Sequence, residues 1–315
     1  MYLIDFNECQ ENNKAYGGMA GSKLGIIYQG EDWILKFPKS TKGMRKTEIS
    51  YTTSPLSEYI GSHIYQILGY PVHETKLGTK DNKLVVACKD FTDSHVRLQE
   101  FREIKNYYNK ELEAILEDTV TDSNSVGSTS LHAVKAHLNY NSLLYMIDGM
   151  SERFWDCVMI DGLINNNDRN SGNWGILRYS DGSLALAPVF DNGASFSTKI
   201  SDEKINDMLK NEDRILSSAI STVTGYNIDG KALQFGALLK LEDKDIHNAV
   251  KRVVPQIQRH MDAITAFIYA IPNADNGIEI ISEIRKEFYK REWSFDCKSS
   301  CCRHTNIPCE LCCNR

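Results

Sequence analysis

The feature that most constrains this chain is a change of pattern near Phe101. Short strand-like runs stand before it, helical periodicity follows it, and one isolated hairpin lies inside the helical part. Residues 24–28 and 32–36 are apolar-rich runs joined by Gln29-Gly30-Glu31, and residues 75–79 and 83–88 are joined by Lys80-Asp81-Asn82. Between these pairs one helix has clear ends. Ser54 reads as its N-cap with Pro55 at the first helical position, Ile60, Ile64, Ile67 and Leu68 form one apolar face, and Gly69 and Pro71 end it. The first 90 residues thus read as a small antiparallel sheet with one helix. Beyond Phe101 the helix candidates are a segment around Leu112, Ile115 and Leu116, then 131–147, 154–164, 202–218, 231–239, 243–270 and 278–289, with polar residues 119–130 as a loop. No internal repeat is visible.

A chain of 315 residues has room for two lobes, and 42% hydrophobic with 25% charged residues is ordinary for a soluble globular protein. The expected division is a β-rich N-terminal lobe over 1–92, a helical C-terminal lobe over 93–290 and a tail over 291–315. The net charge of −6 argues against a broad nucleic-acid surface, and no direct nucleic-acid binding is expected. No apolar run reaches membrane-span length, and the first residues lack a basic segment followed by an apolar stretch. A cytoplasmic location is the expectation, with secretion into a host left open. Cysteine usage is lopsided: Cys9, Cys88 and Cys157 are scattered, whereas Cys297, Cys301, Cys302, Cys309, Cys312 and Cys313 crowd the tail beside His304. The spacing Cys309-x-x-Cys312 suits zinc, but the tail is short and has few apolar residues to pack, so an accessory, poorly ordered segment is expected instead.

The chemistry-bearing residues fall into two sets. Asn165-Asn-Asn-Asp168-Arg-Asn170-Ser-Gly-Asn173 precedes runs 174–179 and 184–190, which are separated by the turn Ser180-Asp181-Gly182-Ser183, and Asp191 follows. Pairing about Asp181-Gly182 places Asn173 opposite Phe190, next to Asp191, so that two hard oxygen ligands end side by side as Mg²⁺ prefers. Asp168, on the loop before Asn173, faces the same spot without ligating the metal, as a base or orienter for a hydroxyl would. The other set begins at Gly17-Gly18-Met-Ala-Gly21-Ser22-Lys23, a loop whose glycines let main-chain N–H groups approach phosphate oxygens. Pairing about Gly30 sets Lys36 across from Leu24, beside the end of that loop. Glu58, early in the helix, either projects toward Lys36 or is an ordinary first-turn acid favoured by the helix dipole.

The order of parts, from Gly-rich loop through strand lysine, helix glutamate and Asp-x4-Asn to a hairpin and a second Asp, resembles a protein-kinase-like fold of class α+β. More narrowly, Trp33-Ile-Leu-Lys36-Phe-Pro, Leu56-Ser-Glu58-Tyr, Val85-Val-Ala-Cys-Lys-Asp-Phe91, Asn167-Asp168-Arg169-Asn170-Ser-Gly-Asn173-Trp-Gly and Ala187-Pro-Val-Phe-Asp191 resemble the HipA-like bacterial serine/threonine kinases, stand-alone CtkA-type members above all. The resemblance covers residues 1–196 well and the remainder loosely. It implies an ATP- and Mg²⁺-dependent kinase that phosphorylates Ser or Thr on a protein substrate and on itself, with an antitoxin-like partner conceivable.

Carried over by position, the resemblance has Lys36 contact the α/β-phosphates with Glu58 as its partner, Asp168 serve the acceptor hydroxyl, and Asn173 and Asp191 hold Mg²⁺. Gly18, Gly21, Ser22 and Lys23 would lie over the phosphates, and the backbone of Ala87, Cys88 and Lys89 would offer hydrogen bonds to the adenine. Ser22 stands where relatives carry an autophosphorylation site. Departures are Asp191-Asn-Gly in place of Asp-Phe-Gly, Asn166-Asn167-Asp168 in place of His-Arg-Asp, and Asn170 where relatives often have histidine; an amide still binds phosphate but carries no proton. The Asp-Arg-x-x-x-Asn spacing is shared with phosphoinositide kinases, which makes a lipid or small-molecule kinase the second reading. A nucleotide-binding pseudokinase of a toxin–antitoxin pair is the third, and a retained Asp168 speaks against it.

Overall fold

The computed structural model describes residues 2–17, 23–44, 47, 49–107, 110–116 and 129–295. Gly18, Gly21 and Ser22, most of the 119–130 loop, and the tail with its six cysteines and His304 lie outside the described residues. The described chain forms two compact units that no single cut in the sequence separates. One gathers Met1–Phe91, Val189–Ser218 and Ile257–Phe295; the other gathers Thr92–Pro188 and Ala219–Gln256.

In the first unit a five-stranded sheet runs in the order Ile4–Asp5, Thr75–Lys80, Lys83–Lys89, Glu31–Lys36, Lys23–Tyr28, antiparallel except for the first pair. Its two hairpins turn on Gln29-Gly30 and Asp81-Asn82, all with positive φ. Such two-residue turns match the right-handed twist of the strands they join. The turn at Gln29-Gly30 also sets the register one residue away from the sequence expectation, with Lys23, not Leu24, opposite Lys36. One face of the sheet is closed by Phe6, Ile26, Trp33, Leu35, Val85 and Ala87. The helix Ser54–Ile67 buries Leu56, Ile60 and Ile64. Its N-cap is Thr53 rather than Ser54: the Thr53 carbonyl accepts the Ser57 N–H at 3.0 Å, while the Ser54 hydroxyl lies 2.9 Å from Thr52 Oγ1.

The same unit continues beyond Asp191. Phe196 is fully buried, with its ring 4.9 Å from that of Tyr289 and 6.1 Å from that of Trp293. Arg285 Nη2 donates to Ile200 O (2.9 Å) and Asp202 Oδ1 (2.6 Å). The helix expected over 202–218 is two helices, Asp202–Leu209 and Glu212–Ser221, because the Asn211 side chain caps the second by accepting from the Asp213 N–H at 2.9 Å. The helix expected over 278–289 is a hairpin strand, Ile278–Glu279, followed by the helix Glu283–Phe295. Asn276-Gly277, with both φ positive, forms the turn.

In the second unit, Val96–Glu100, Gly175–Tyr179 and Leu184–Leu186 make an antiparallel sheet, and Lys231–Gln234, Val223–Ile228 and Thr129–Ser130 make a mixed one, its last pair parallel. The expected helix over 231–239 is thus a strand with only a short helix, Phe235–Leu238, after it. The Asp229-Gly230 dipeptide turns the chain back at that point. Segment 131–147 divides into Leu131–Tyr140 and Ser142–Tyr145 where the Asn141 side chain accepts the Leu143 N–H at 3.0 Å. The helix Met150–Leu163 delivers the Asn165 loop, and the long helix Lys244–Ala270, which belongs to this unit as far as Gln256, carries Pro255 in its interior. Among the described residues, no helix is long and apolar enough to cross a membrane.

Candidate active site

Each unit carries one cluster of the residues singled out above. In the first, Lys36 Nζ lies 2.8 Å from Glu58 Oε2 and 2.9 Å from Asp191 Oδ1. Glu58 therefore projects toward the lysine, and its carboxylate is fully buried. Its other oxygen accepts the Asn192 backbone N–H at 3.0 Å and faces His73 Nε2 at 2.9 Å. Asn192 Nδ2 donates to Ser62 Oγ at 3.1 Å, and that hydroxyl lies 3.2 Å from His73 Nε2. Asp191 has φ of 59°, a left-handed conformation that short polar residues tolerate. A single buried carboxylate thus ties the helix, the strand lysine and the turn after Asp191 together.

Burial alone would raise the Glu58 pKa, but the Lys36 charge and the His73 hydrogen bond bring it well below the carboxylate range. Burial alone would lower Lys36, and the charges of Asp191 and Glu58 overcome it and raise it instead. Asp191, which burial pushes up, is held low chiefly by Lys36. All three groups are therefore ionised at neutral pH. Lys23, directly opposite Lys36 in the ladder, donates to Gly17 O at 2.8 Å; burial and then the Lys36 charge depress its pKa. Lys23 and Lys36 thus share one face of the sheet, next to the Asp191 carboxylate.

The connector lies differently from the expectation. Ala87 and Cys88 are paired with Leu35 and Ile34 on one side and with Lys76 and Thr75 on the other. The Ala87 side chain points into the core. The N–H groups of Lys89 and Asp90 donate to Glu74 O and Asp32 O, both at 2.9 Å, and the Lys89 side chain pairs with Glu31 at 2.6 Å. Phe91 is the first residue of this segment whose N–H stands outside the ladder.

In the second unit the loop after Met150–Leu163 is held from beneath by a buried ion pair. Arg169 donates through Nε to Asp161 Oδ2 (2.8 Å) and through Nη2 to Asp161 Oδ1 (2.9 Å), and Nη1 reaches Asn173 O (2.9 Å). Asn166 Nδ2 adds a third bond to Asp161 at 3.0 Å. The Arg169 backbone packs so closely on Gly225 that a Cβ there would fall 2.4 Å from Arg169 O. Only glycine fits. On this base stand the exposed groups: Asn170 Nδ2 donates to Asp168 Oδ1 at 2.8 Å, Asn170 Oδ1 accepts the Gly172 N–H at 2.8 Å, and Asn173 Nδ2 donates to Asp168 O at 2.6 Å. Asn170 thus holds one carboxylate oxygen of Asp168 through its amide N–H. The Asn173 amide is oriented through its NH₂ group, with Oδ1 at its other end.

The hairpin differs from the sequence expectation. Ile176 pairs with Leu186 and Arg178 with Leu184, one residue out of the expected register, and the ladder stops at Leu186 before Pro188. Val189 then turns to Pro71 O, to which its N–H donates at 2.8 Å. The hairpin ladder therefore does not itself set Asn173 opposite Phe190. Sequence reasoning also missed His73, Ser62 and Asn192, which have no spacing signal, and Asp161, which reads as one polar residue of an apolar helix.

No family model matches the chain. It is 35% identical over 302 residues to the serine/threonine-protein kinase CtkA of Helicobacter pylori, covering 91% of this chain and 83% of that protein. The crystal structure of the Helicobacter pylori proinflammatory kinase CtkA matches with a TM-score of 0.75 and 32% identity over 93% of each chain. HipA in the Shewanella oneidensis MR-1 toxin–antitoxin complex with HipB and operator DNA gives a TM-score of 0.44 at 11% identity, over 90% of this chain and 65% of that one. With the protein-kinase-like α+β fold and this identity over nearly its whole length, the chain belongs to the CtkA family of serine/threonine-protein kinases.

Proposed function

We propose that the chain uses ATP and Mg²⁺ to phosphorylate Ser or Thr hydroxyls on a protein, itself included. The observation that carries this reading is the Lys36–Glu58–Asp191 triad, in which one buried carboxylate holds the lysine and a second meets it from the turn at Asp191. In phosphoryl transfer the protein contributes mainly positioning and charge neutralisation. Lys36 and Lys23 supply two cations to the phosphates. Asp191, with Oδ1 on Lys36, and Asn173, with Nδ2 on Asp168, each retain an oxygen of the hard type that Mg²⁺ takes. Bound Mg²⁺ would neutralise the phosphate oxygens. Asp168, with Oδ1 held by Asn170, keeps Oδ2 to accept the proton of an acceptor hydroxyl. The Phe91 N–H, rather than the paired groups of Ala87 and Cys88, is the proposed donor to the adenine.

The test is mass spectrometry of the protein and of a cytosolic lysate after exposure to ATP with and without Mg²⁺. Phosphoserine or phosphothreonine that depends on the metal is the expected result, with Ser22 among the sites to inspect. Phosphate appearing only on phosphoinositide vesicles supplied in parallel would replace this reading with that of a lipid kinase. Nucleotide binding without any transfer would replace it with that of a binding module.

A further inference from the structure

The face of the sheet that carries Lys36 has a gap in its side-chain cover. Lys23 and Gly25 stand opposite Lys36 and Ile34. Residues two apart share a face, so Gly25 and Ile34 lie on the Lys36 side, while Ile26, Trp33 and Leu35 fill the other. Gly25 contributes nothing there. The segment that enters by the Glu11–Ile26 bridge covers it instead: a Cβ on Gly25 would fall 2.0 Å from Asn12 Oδ1 and 2.6 Å from the Tyr16 ring.

That ring is held at its far end. The Tyr16 hydroxyl donates to Asp90 Oδ2 at 2.9 Å and accepts from Asn12 Nδ2 at 3.0 Å. Asn12 Nδ2 also reaches Asp32 Oδ1 at 2.8 Å, and Lys14 Nζ lies 2.8 Å from Asp32 and 3.5 Å from Asp90. Asp90 immediately precedes Phe91. An aromatic ring is thus fixed between the bare backbone of Gly25 and the residue before the Phe91 N–H, on the face that bears Lys36.

We propose that Tyr16 is the stacking platform for the purine of the nucleotide, supplying the flat apolar surface that Gly25 lacks, with Asp90 setting the angle of the ring. The proposal rests on the ATP reading above. Base–aromatic stacking needs only the π-face of the ring, so the hydroxyl is for alignment and the ring for affinity.

Titration calorimetry of the full chain with ATP and with tripolyphosphate, which has no base, tests it. Tyr16→Ala is expected to weaken ATP about tenfold, equivalent to about 1.4 kcal/mol, and to leave tripolyphosphate unchanged. Tyr16→Phe is expected to stay within about threefold of wild type. In turnover, Tyr16→Ala raises KM for ATP and changes kcat little. Should the alanine variant not fold, Tyr16→Leu, which still covers Gly25, is expected to lose ATP affinity selectively in the same way. Alanine and leucine variants that bind ATP as tightly as wild type, or more tightly, overturn the platform alone, as does an equal loss for ATP and tripolyphosphate. A wild-type chain that binds tripolyphosphate but no purine nucleotide overturns the platform and the ATP reading together.

Discussion

At the scale of single residues, the Lys36–Glu58 and Arg169–Asp161 ion pairs do different work. Arg169 and Asp161 are both buried, and their paired bonds hold the loop that carries Asp168. Removing one partner leaves an uncompensated charge, so Arg169→Met is expected to cost roughly 3–5 kcal/mol in denaturant unfolding. Asn170 acts more locally. Asn170→Ala frees the Asp168 carboxylate from its 2.8 Å bond and is expected to lower kcat roughly tenfold with thermal stability unchanged, measured in steady-state assays beside melting curves. Lys36, Asp168 and Asn173 could be singled out from the sequence because the proposed phosphoryl transfer needs those residue types in that order. His73 could not, because its role is to hold Glu58 from behind, and such contacts are made by tertiary packing.

At the scale of elements, turn chemistry decided which expectations held. Asp229-Gly230 and Asn276-Gly277 have positive φ and close hairpins, and they overrode helical patterns over 231–239 and 278–289. The helix Ser54–Ile67 was legible because its apolar spacing and its end signals agree. The segment after Asp191 depends on Phe196, buried against Tyr289 and Trp293. Phe196→Ala is expected to destabilise the protein by roughly 3–5 kcal/mol, read as a lower denaturant midpoint.

The helix Leu131–Tyr140 carries a pH-sensitive element. Burial, then the Lys105 charge, lowers the pKa of His137 to about 4, and Asn141 Nδ2 lies 3.1 Å from its Nδ1. The unfolded histidine titrates near 6.5. Between those two pH values the unfolded chain holds the extra proton, so stability falls as pH drops from about 6.5 toward about 4. His137→Gln is expected to flatten the dependence of melting temperature on pH across that window. An unchanged slope would contradict the assignment.

At the scale of the whole molecule, each compact unit bears part of the proposed residue set: one holds Lys36, Glu58 and Asp191, the other the loop of Asp168 and Asn173. The β-to-helix change near Phe101 was legible in the sequence. The return of residues 189–218 and 257–295 to the first unit was not, because apolar periodicity reports which face of an element is buried and not which unit it is buried in. Transfer of the γ-phosphoryl of ATP with Asp168 at the acceptor hydroxyl is the proposal on which the rest depends. Incubating γ-labelled ATP with wild type and with Asp168→Asn tests it most directly. Label on the protein and on lysate proteins is expected for wild type, reduced roughly 10²–10⁴-fold in the variant, with ATP affinity retained. Equal incorporation by the two, whether high or absent, would contradict it.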